Sequence, residues 1–325
     1  MKFHLNISVP PSAFTLQHQA PILMIGSCFS EQIYHKLHDL KFNVHSNPFG
    51  IVFNPESIAN QLTRIVNKHY FTRNEVIEKQ QQYVCLDAHS QFTASSPTLL
   101  LDQLNHQIVV WHQHLCKAHT LFITFGSAFA YAKKDTQQVV ANCHKIPQSY
   151  FNKQLLTTSS LVAQFHTLYK LLLALNPTLQ IVLTVSPVKH LKDGVVENNL
   201  SKSILIQTSH QLVNDLAHCS YFPSYELVTD DLRDYRFYEK DLAHPNALAV
   251  DYVWQKFAEC YFNNHTTQLN QRLMQIHQAY LHKLFNEHST ESIQFKKDNL
   301  QKCLALKEEF PFLNLQSEII YFKSA

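Results

Sequence analysis

The sequence predicts a three-layer α/β/α fold, a parallel sheet covered by helices on both faces, and three observations predict it. Short β-branched or apolar runs alternate with longer segments of helical period. The chain of 325 residues holds only four glycines, Gly26, Gly50, Gly126 and Gly194, against about 23 at ordinary usage; each falls at the end of an expected strand or in the loop beyond it. From about residue 263 the alternation stops and helical period alone continues.

The elements follow in order. PILMIGS at residues 21–27 reads as the first strand, KFNVHS at 41–46 as the second and LFITFGS at 121–127 as the third. IVLTVSP at 181–187 and YFPSYELV at 221–228 complete a five-strand sheet. Helices are expected at 30–40, 55–69, 98–117, 153–175, 198–217 and 245–262. Beyond 262, Leu269, Leu273, Ile276, Tyr280 and Leu284 recur at helical spacing, and residues 291–310 read as a second amphipathic helix. The chain therefore divides into a main domain, 1–262, and a helical extension, 263–325. In doubly wound sheets, ligands bind beyond the carboxyl ends of the strands, the rim to which all four glycines map.

Composition narrows the function. Net charge is +2 and no Lys/Arg run exceeds a pair, so no nucleic-acid partner and no polybasic membrane patch are expected. No window is long and apolar enough to span a bilayer, and the first twenty residues lack the pattern of a signal peptide. Seven cysteines, Cys28, Cys85, Cys116, Cys143, Cys219, Cys260 and Cys303, contain no C-x-x-C pair; an odd count suits a reducing cytoplasm better than a disulfide framework or a zinc ribbon. No metal is expected: His112 and His114 in WHQHL lie two apart and do not share a helix face. No Gly-rich phosphate loop is present, so no cofactor is expected either.

The chemistry concentrates at the rim. Cys28, in LMIGSCFSEQI, falls at a strand-to-helix turn, where a helix N-terminus lowers a thiol pKa and offers backbone N–H groups to an oxyanion. DLAHPN at 241–246 supplies Asp-x-x-His just before a helix, with Pro245 suited to the first helical position. That spacing allows Asp241 to hold His244 Nδ1, leaving Nε2 for the nucleophile. A packed thiol and a chance pair in a chain of 21 histidines are the plain alternatives; occurrence of both at one rim argues against them.

IGSCFSEQI, NPFGIVFNP (47–55), TFGSAFAY (124–131), VANCHKIP (140–147), SPVKHLKDGVVEN (186–198) and the segment 221–246 together resemble the GSCFA-domain family, over roughly residues 1–260. That family is similar to the SGNH hydrolases, flavodoxin-like α/β enzymes that cut esters of lipids and carbohydrates. The resemblance implies a small-molecule or carbohydrate acyl ester as substrate. It implies Cys28 at the nucleophile position, Ser27 where the related motif has Asp, Asp241 and His244 as acid and base, and the Cys28 and Gly50 N–H groups as the oxyanion hole. Gly126 is followed by Ser127, Ala128 and Phe129, where the related motif has Gly-x-Asn-Asp; Asn142 or Asn47 is then the candidate side-chain donor, Asn142 the preferred one.

Ser27, Asn47, Gly126, Ser127, His144, Lys145 and His190 are further candidates to line the site, with Lys189 beside them, and DDLRDYR (230–236) is read as ion pairs bracing the His244 loop. The expected function is esterase-like hydrolysis or acyl transfer. Two alternatives remain open: Ser27 as nucleophile, and a non-catalytic module that holds a glycan or acyl chain in the same cleft.

Overall fold

A computed structural model describes residues 5–324; residues 1–4, which open the N-terminal segment considered above, and residue 325 lie outside it. Chain order begins with β1 (Ile22–Gly26), α1 (Cys28–Asp39), β2 (Val44–Ser46) and α2 (Pro55–Val66). A small antiparallel sheet follows, β3 (Val76–Lys79), β4 (Gln82–Cys85) and β5 (Thr93–Ala94), then α3 (Pro97–Lys117) and β6 (Thr120–Phe125). A second small sheet comprises β7 (Phe129–Lys133), β8 (Val139–Val140) and β9 (Phe151–Leu155). After it run α4 (Thr158–Leu175), β10 (Gln180–Val185), α5 (Val195–Asp215), β11 (Cys219–Tyr221) and the short α6 (Ser224–Glu226). The chain closes with α7 (Ala247–Tyr261), α8 (Asn264–Leu281), α9 (Thr290–Glu309) and α10 (Gln316–Lys323).

The central sheet has the order β11-β10-β6-β1-β2 with every pair parallel. This is the flavodoxin-like order, whose direction reverses between β1 and β6, the place where such sheets take ligands. Alternate residues of each strand feed opposite cores. Leu23 and Ile25 of β1 join Leu121 and Ile123 in the core under α2 to α5, whereas Ile22, Met24 and Phe122 join the core under α1 and α7. Leu269, Leu273 and Ile276 of α8, Cys303 and Leu306 of α9, and Ile319 and Phe322 of α10 belong to that second core. The extension thus packs against the face of the sheet that α1 and α7 cover.

Several expected boundaries are corrected. Residues 221–228 are strand only as far as Tyr221. Pro223 lacks the N–H a ladder needs, and Ser224 Oγ donates to the Val185 carbonyl at 2.8 Å, turning the chain into helix. Residues 153–155 belong to β9, paired antiparallel with β7, and α4 starts only after Thr157, whose hydroxyl accepts the Ser160 N–H. Pro245 precedes α7 rather than opening it, and Asn246 caps that helix. All six small-sheet strands fell outside the expected pattern because they are short and lack the continuous apolar run that marks β1, β6 and β10.

Candidate active site

The turn between β1 and α1 is held from three sides. The Gly26 N–H donates to Asn47 Oδ1 at 2.8 Å, the Ser27 N–H to the Thr124 carbonyl at 3.2 Å, and the Val52 N–H to the Gly26 carbonyl at 3.1 Å. Gly26 sits at φ +143°, and a Cβ there would lie 2.2 Å from the Thr124 carbonyl oxygen; only glycine permits this approach of β1 to β6. Ser27 takes the extended cap conformation and Cys28 opens α1. The N–H groups of Cys28 and Phe29, in the first helical turn, therefore have no partner within the helix, and both favour a charged Sγ.

Across the rim, residues 238–246 form a tight loop. Tyr238 bridges Pro245, and the Glu239 N–H donates to the His244 carbonyl at 2.7 Å. Asp241 Oδ1 accepts the N–H groups of Ala243 and His244 at 2.9 and 3.0 Å, and Oδ2 meets His244 Nδ1 at 2.6 Å. Those backbone bonds, then the imidazole bond, hold the Asp241 carboxyl down at about 2. An ionised carboxylate only accepts, so Nδ1 carries the hydrogen and Nε2 is the ring nitrogen left to meet the nucleophile.

Cys28 and His244 line one open cleft of about 390 Å³, together with Gln32, Lys36, Val188 and Glu239. Among the described residues no hydrogen bond joins Cys28 to His244; such contacts commonly tighten only when substrate binds. The expected acidification of the thiol is corrected. Burial pushes the Cys28 pKa up, outweighing the pull of the Cys28 and Phe29 N–H groups and of Lys202, and the Asp241 charge adds to the rise.

The other expected residues divide between the turn and more distant braces. Ser27 is 1% exposed, with no hydrogen-bond partner for its hydroxyl. Asn47 is buried; besides accepting from Gly26 it donates to Glu31 of α1, so it holds the turn rather than facing the cleft. The Gly50 N–H donates to the Asn47 carbonyl at 2.9 Å, which corrects its assignment as a free oxyanion donor. Asn142 is likewise corrected: its N–H donates to Leu86, its Oδ1 accepts the His144 N–H at 2.7 Å, and it does not line the cleft. His144 Nε2 lies between the carbonyls of Cys85 and Ala88, a brace beside the small sheets, and Lys145 is exposed. Gly126 and Ser127 both donate N–H to the Phe53 carbonyl, and the Ser127 hydroxyl meets Ser201 at 3.3 Å. Lys189 lies over the rings of Tyr235 and Tyr238, tying the loop after β10 to the His244 loop. Within 230–236, Arg236 forms an ion pair with Asp234, whereas Asp231 accepts hydrogen bonds from the Tyr252 hydroxyl and the Ile7 N–H.

The GSCFA family model matches residues 21–257, and that of the GSCFA domain protein C-terminal domain matches residues 273–325. The chain belongs to the GSCFA family. Among curated proteins none matches it. Among solved structures it is similar to a carbohydrate esterase family 3 crystal structure from Talaromyces cellulolyticus, at 7% identity and TM-score 0.35, covering 79% of this chain and 99% of that one.

Two features beside the candidate site carry more than the sequence suggested. His190, half-buried against the Phe53 ring, is pulled down to about 4 by burial, with Lys202 and His244 adding to the effect, and its Nε2 has no hydrogen-bond partner among the described residues. Lys202, which the sequence reading passed over, is fully buried in α5, its ammonium donating to the carbonyls of Gly126 and Ser186 at 2.6 and 2.7 Å. The available signal was periodic: Asn198, Ser201, Lys202, Leu205, Thr208 and Leu212 share the buried face of α5, a position where lysine is out of place.

Proposed function

We propose that this GSCFA protein hydrolyses or transfers the acyl group of an ester, with Cys28 as nucleophile, His244 as base and Asp241 as its orienter. The observation that carries the reading is that Cys28, at the start of α1, and His244, oriented by Asp241 at 2.6 Å, line the same cleft. His244 Nε2 takes the thiol proton as sulfur bonds to the acyl carbon. The N–H groups of Cys28 and Phe29 hold the oxyanion, and the proton returns to the departing alkoxide. Water, or a second acceptor, then releases the acyl group from sulfur. With the Gly50 N–H already bonded and Asn142 turned to its own loop, those two helix N–H groups are the donors at hand. Resemblance to the SGNH hydrolases favours an acyl ester of a carbohydrate or lipid. Residues 1–262 would carry the chemistry and 263–325 would brace it. Seven free cysteines favour a reducing compartment.

Ser27 is the weaker nucleophile because its hydroxyl is enclosed. The raised Cys28 thiol, with no hydrogen bond to His244, favours a second reading, a binding module that holds an acyl chain or glycan without turnover. Intact-protein mass spectrometry after exposure to p-nitrophenyl acetate separates these readings. An acyl adduct lost in both Cys28→Ala and His244→Ala supports the enzyme; an adduct that survives Cys28→Ala sinks the assignment, and absence of any adduct favours the binding module.

A further inference from the structure

A fully buried ammonium needs a reason. Lys202 Nζ places two of its N–H groups on the Gly126 and Ser186 carbonyls, at the carboxyl edge of the sheet beyond β6 and β10. A neutral amide or hydroxyl would clamp two strand ends as well, without the cost of burying a charge. Among the described residues no carboxylate pairs with Lys202. Three groups lie near it on the elements packed around it. The Tyr225 ring of α6 lies 5.8 Å away, while His190 in the loop after β10 and Cys28 at the start of α1 are close enough for their charges to act on it; Val188, two residues beyond the Ser186 carbonyl, lines the same cleft as Cys28. Of these, His190 is neutral at ordinary pH and Tyr225 is held as the phenol by burial and nearby carboxylates. Cys28 is the group that can become an anion there. The backbone places it close: the Ser27 N–H bonds to Thr124, two residues before the Gly126 carbonyl that Lys202 grips.

We propose that Lys202 is the counter-cation of the Cys28 thiolate, a buried charge set beneath the nucleophile turn that stabilises the sulfur anion once His244 has taken the proton. The proposal rests on the reading of Cys28 as nucleophile and makes Lys202 a positioning residue that acts through the thiolate. The opposed burial effects agree with it. Burial, the dominant cause in both, raises the Cys28 thiol and pulls Lys202 down to about 7, and in each case the other group opposes the shift. Each charge lessens the other's burial penalty, so formation of the thiolate, when His244 takes the proton, favours the protonated lysine beneath it.

The test is the rate of Cys28 alkylation by iodoacetamide as a function of pH, read on the Cys28 peptide by mass spectrometry so that exposed Cys116 does not contribute. Lys202→Met removes charge and donors; Lys202→Gln removes the charge and keeps a donor for the carbonyls. Both should move the alkylation midpoint upward by about one unit or more, slowing the reaction about tenfold at neutral pH. An unchanged midpoint, with only a lower urea midpoint for unfolding, would make Lys202 a strand clamp and overturn the proposal. Cys28→Ser tests the same coupling from the other side if neither lysine variant folds. The Lys202 ¹⁵Nζ resonance should then titrate at lower pH than in the wild type, and an unchanged titration rejects the pairing. Alkylation requires no ester. A Lys202-dependent thiol profile without any p-nitrophenyl acetate adduct would therefore sink the esterase reading alone, whereas an adduct with an unchanged profile would sink only the role of Lys202.

Discussion

Asp241 is bound three times by one short loop, twice through backbone N–H groups and once through the His244 ring, so its carboxylate holds a single imidazole tautomer. Asp241→Asn keeps the shape but supplies a donor in place of an acceptor, and the acylation rate should fall by about 10²- to 10⁴-fold while Cys28 remains the modified residue; burst kinetics with p-nitrophenyl acetate measure this. The sign of the pH effect follows from the depressed Asp241 pKa. Its orienting charge is present above the ordinary carboxylate range and is lost only as pH falls toward about 2. Any loss of wild-type activity at mildly acidic pH therefore belongs to another group than Asp241. Cys28 runs the other way, since burial raises its pKa. Its alkylation rate should still be climbing at a pH where an exposed cysteine peptide has levelled off. These polar residues were legible because each lies in a local motif, Gly-Ser-Cys or Asp-x-x-His. Lys202 was not, because what makes it unusual is the carbonyls it meets, and those lie 76 and 16 residues away in the chain.

At the scale of elements, the β1–α1 turn concentrates constraint that the sheet edge alone would not supply. Gly26→Ala would force a side chain against the Thr124 carbonyl at a φ that L residues avoid, and should cost about 3 kcal/mol in urea unfolding. Asn47→Ala would leave the buried Gly26 N–H without its acceptor, a loss of about 1–3 kcal/mol by the same measurement, together with slower acylation because the nucleophile turn loosens. The five parallel strands, and the helices between them, could be read from alternation in the chain, and the four glycines did fall at one rim. The two antiparallel sheets could not, because their short strands, such as VIEK, QYVC and FNKQL, mix in polar residues and lack the continuous apolar run that marks β1, β6 and β10. Nor could the ends of β11 and α4. A proline and a threonine cap decide them, and whether such a residue ends or begins an element depends on the partner its neighbours find.

On the scale of the whole molecule, the C-terminal helices share the core beneath α1 and α7. One tie is ionic: Lys41, just after α1, meets Glu318 of α10 at 2.5 Å, and the Glu318 side chain is 3% exposed. Lys41→Met would leave that carboxylate buried without its partner, a cost of about 3 kcal/mol. Because the core is continuous, both the wild type and this variant should unfold in urea as one transition followed alike by far-ultraviolet circular dichroism and tryptophan fluorescence, Trp111 reporting on one side of the sheet and Trp254 on the other. Two separated transitions would show that the extension folds by itself.

The sequence by itself determined the layered α/β architecture, and it singled out the rim and the residues Cys28, Asp241 and His244 of the proposed site. All of these depend on patterns within a few residues, alternation, helical period and short motifs, which secondary structure converts directly into position. Tertiary structure alone decided which groups surround them. It took the Gly50 N–H for the Asn47 carbonyl, turned Asn142 toward His144, drew the thiol pKa upward and brought a buried lysine to the ends of the strands beside the Cys28 turn. Hydrogen-bond partners and desolvation are set by what the folded chain places across space, and no local pattern encodes them.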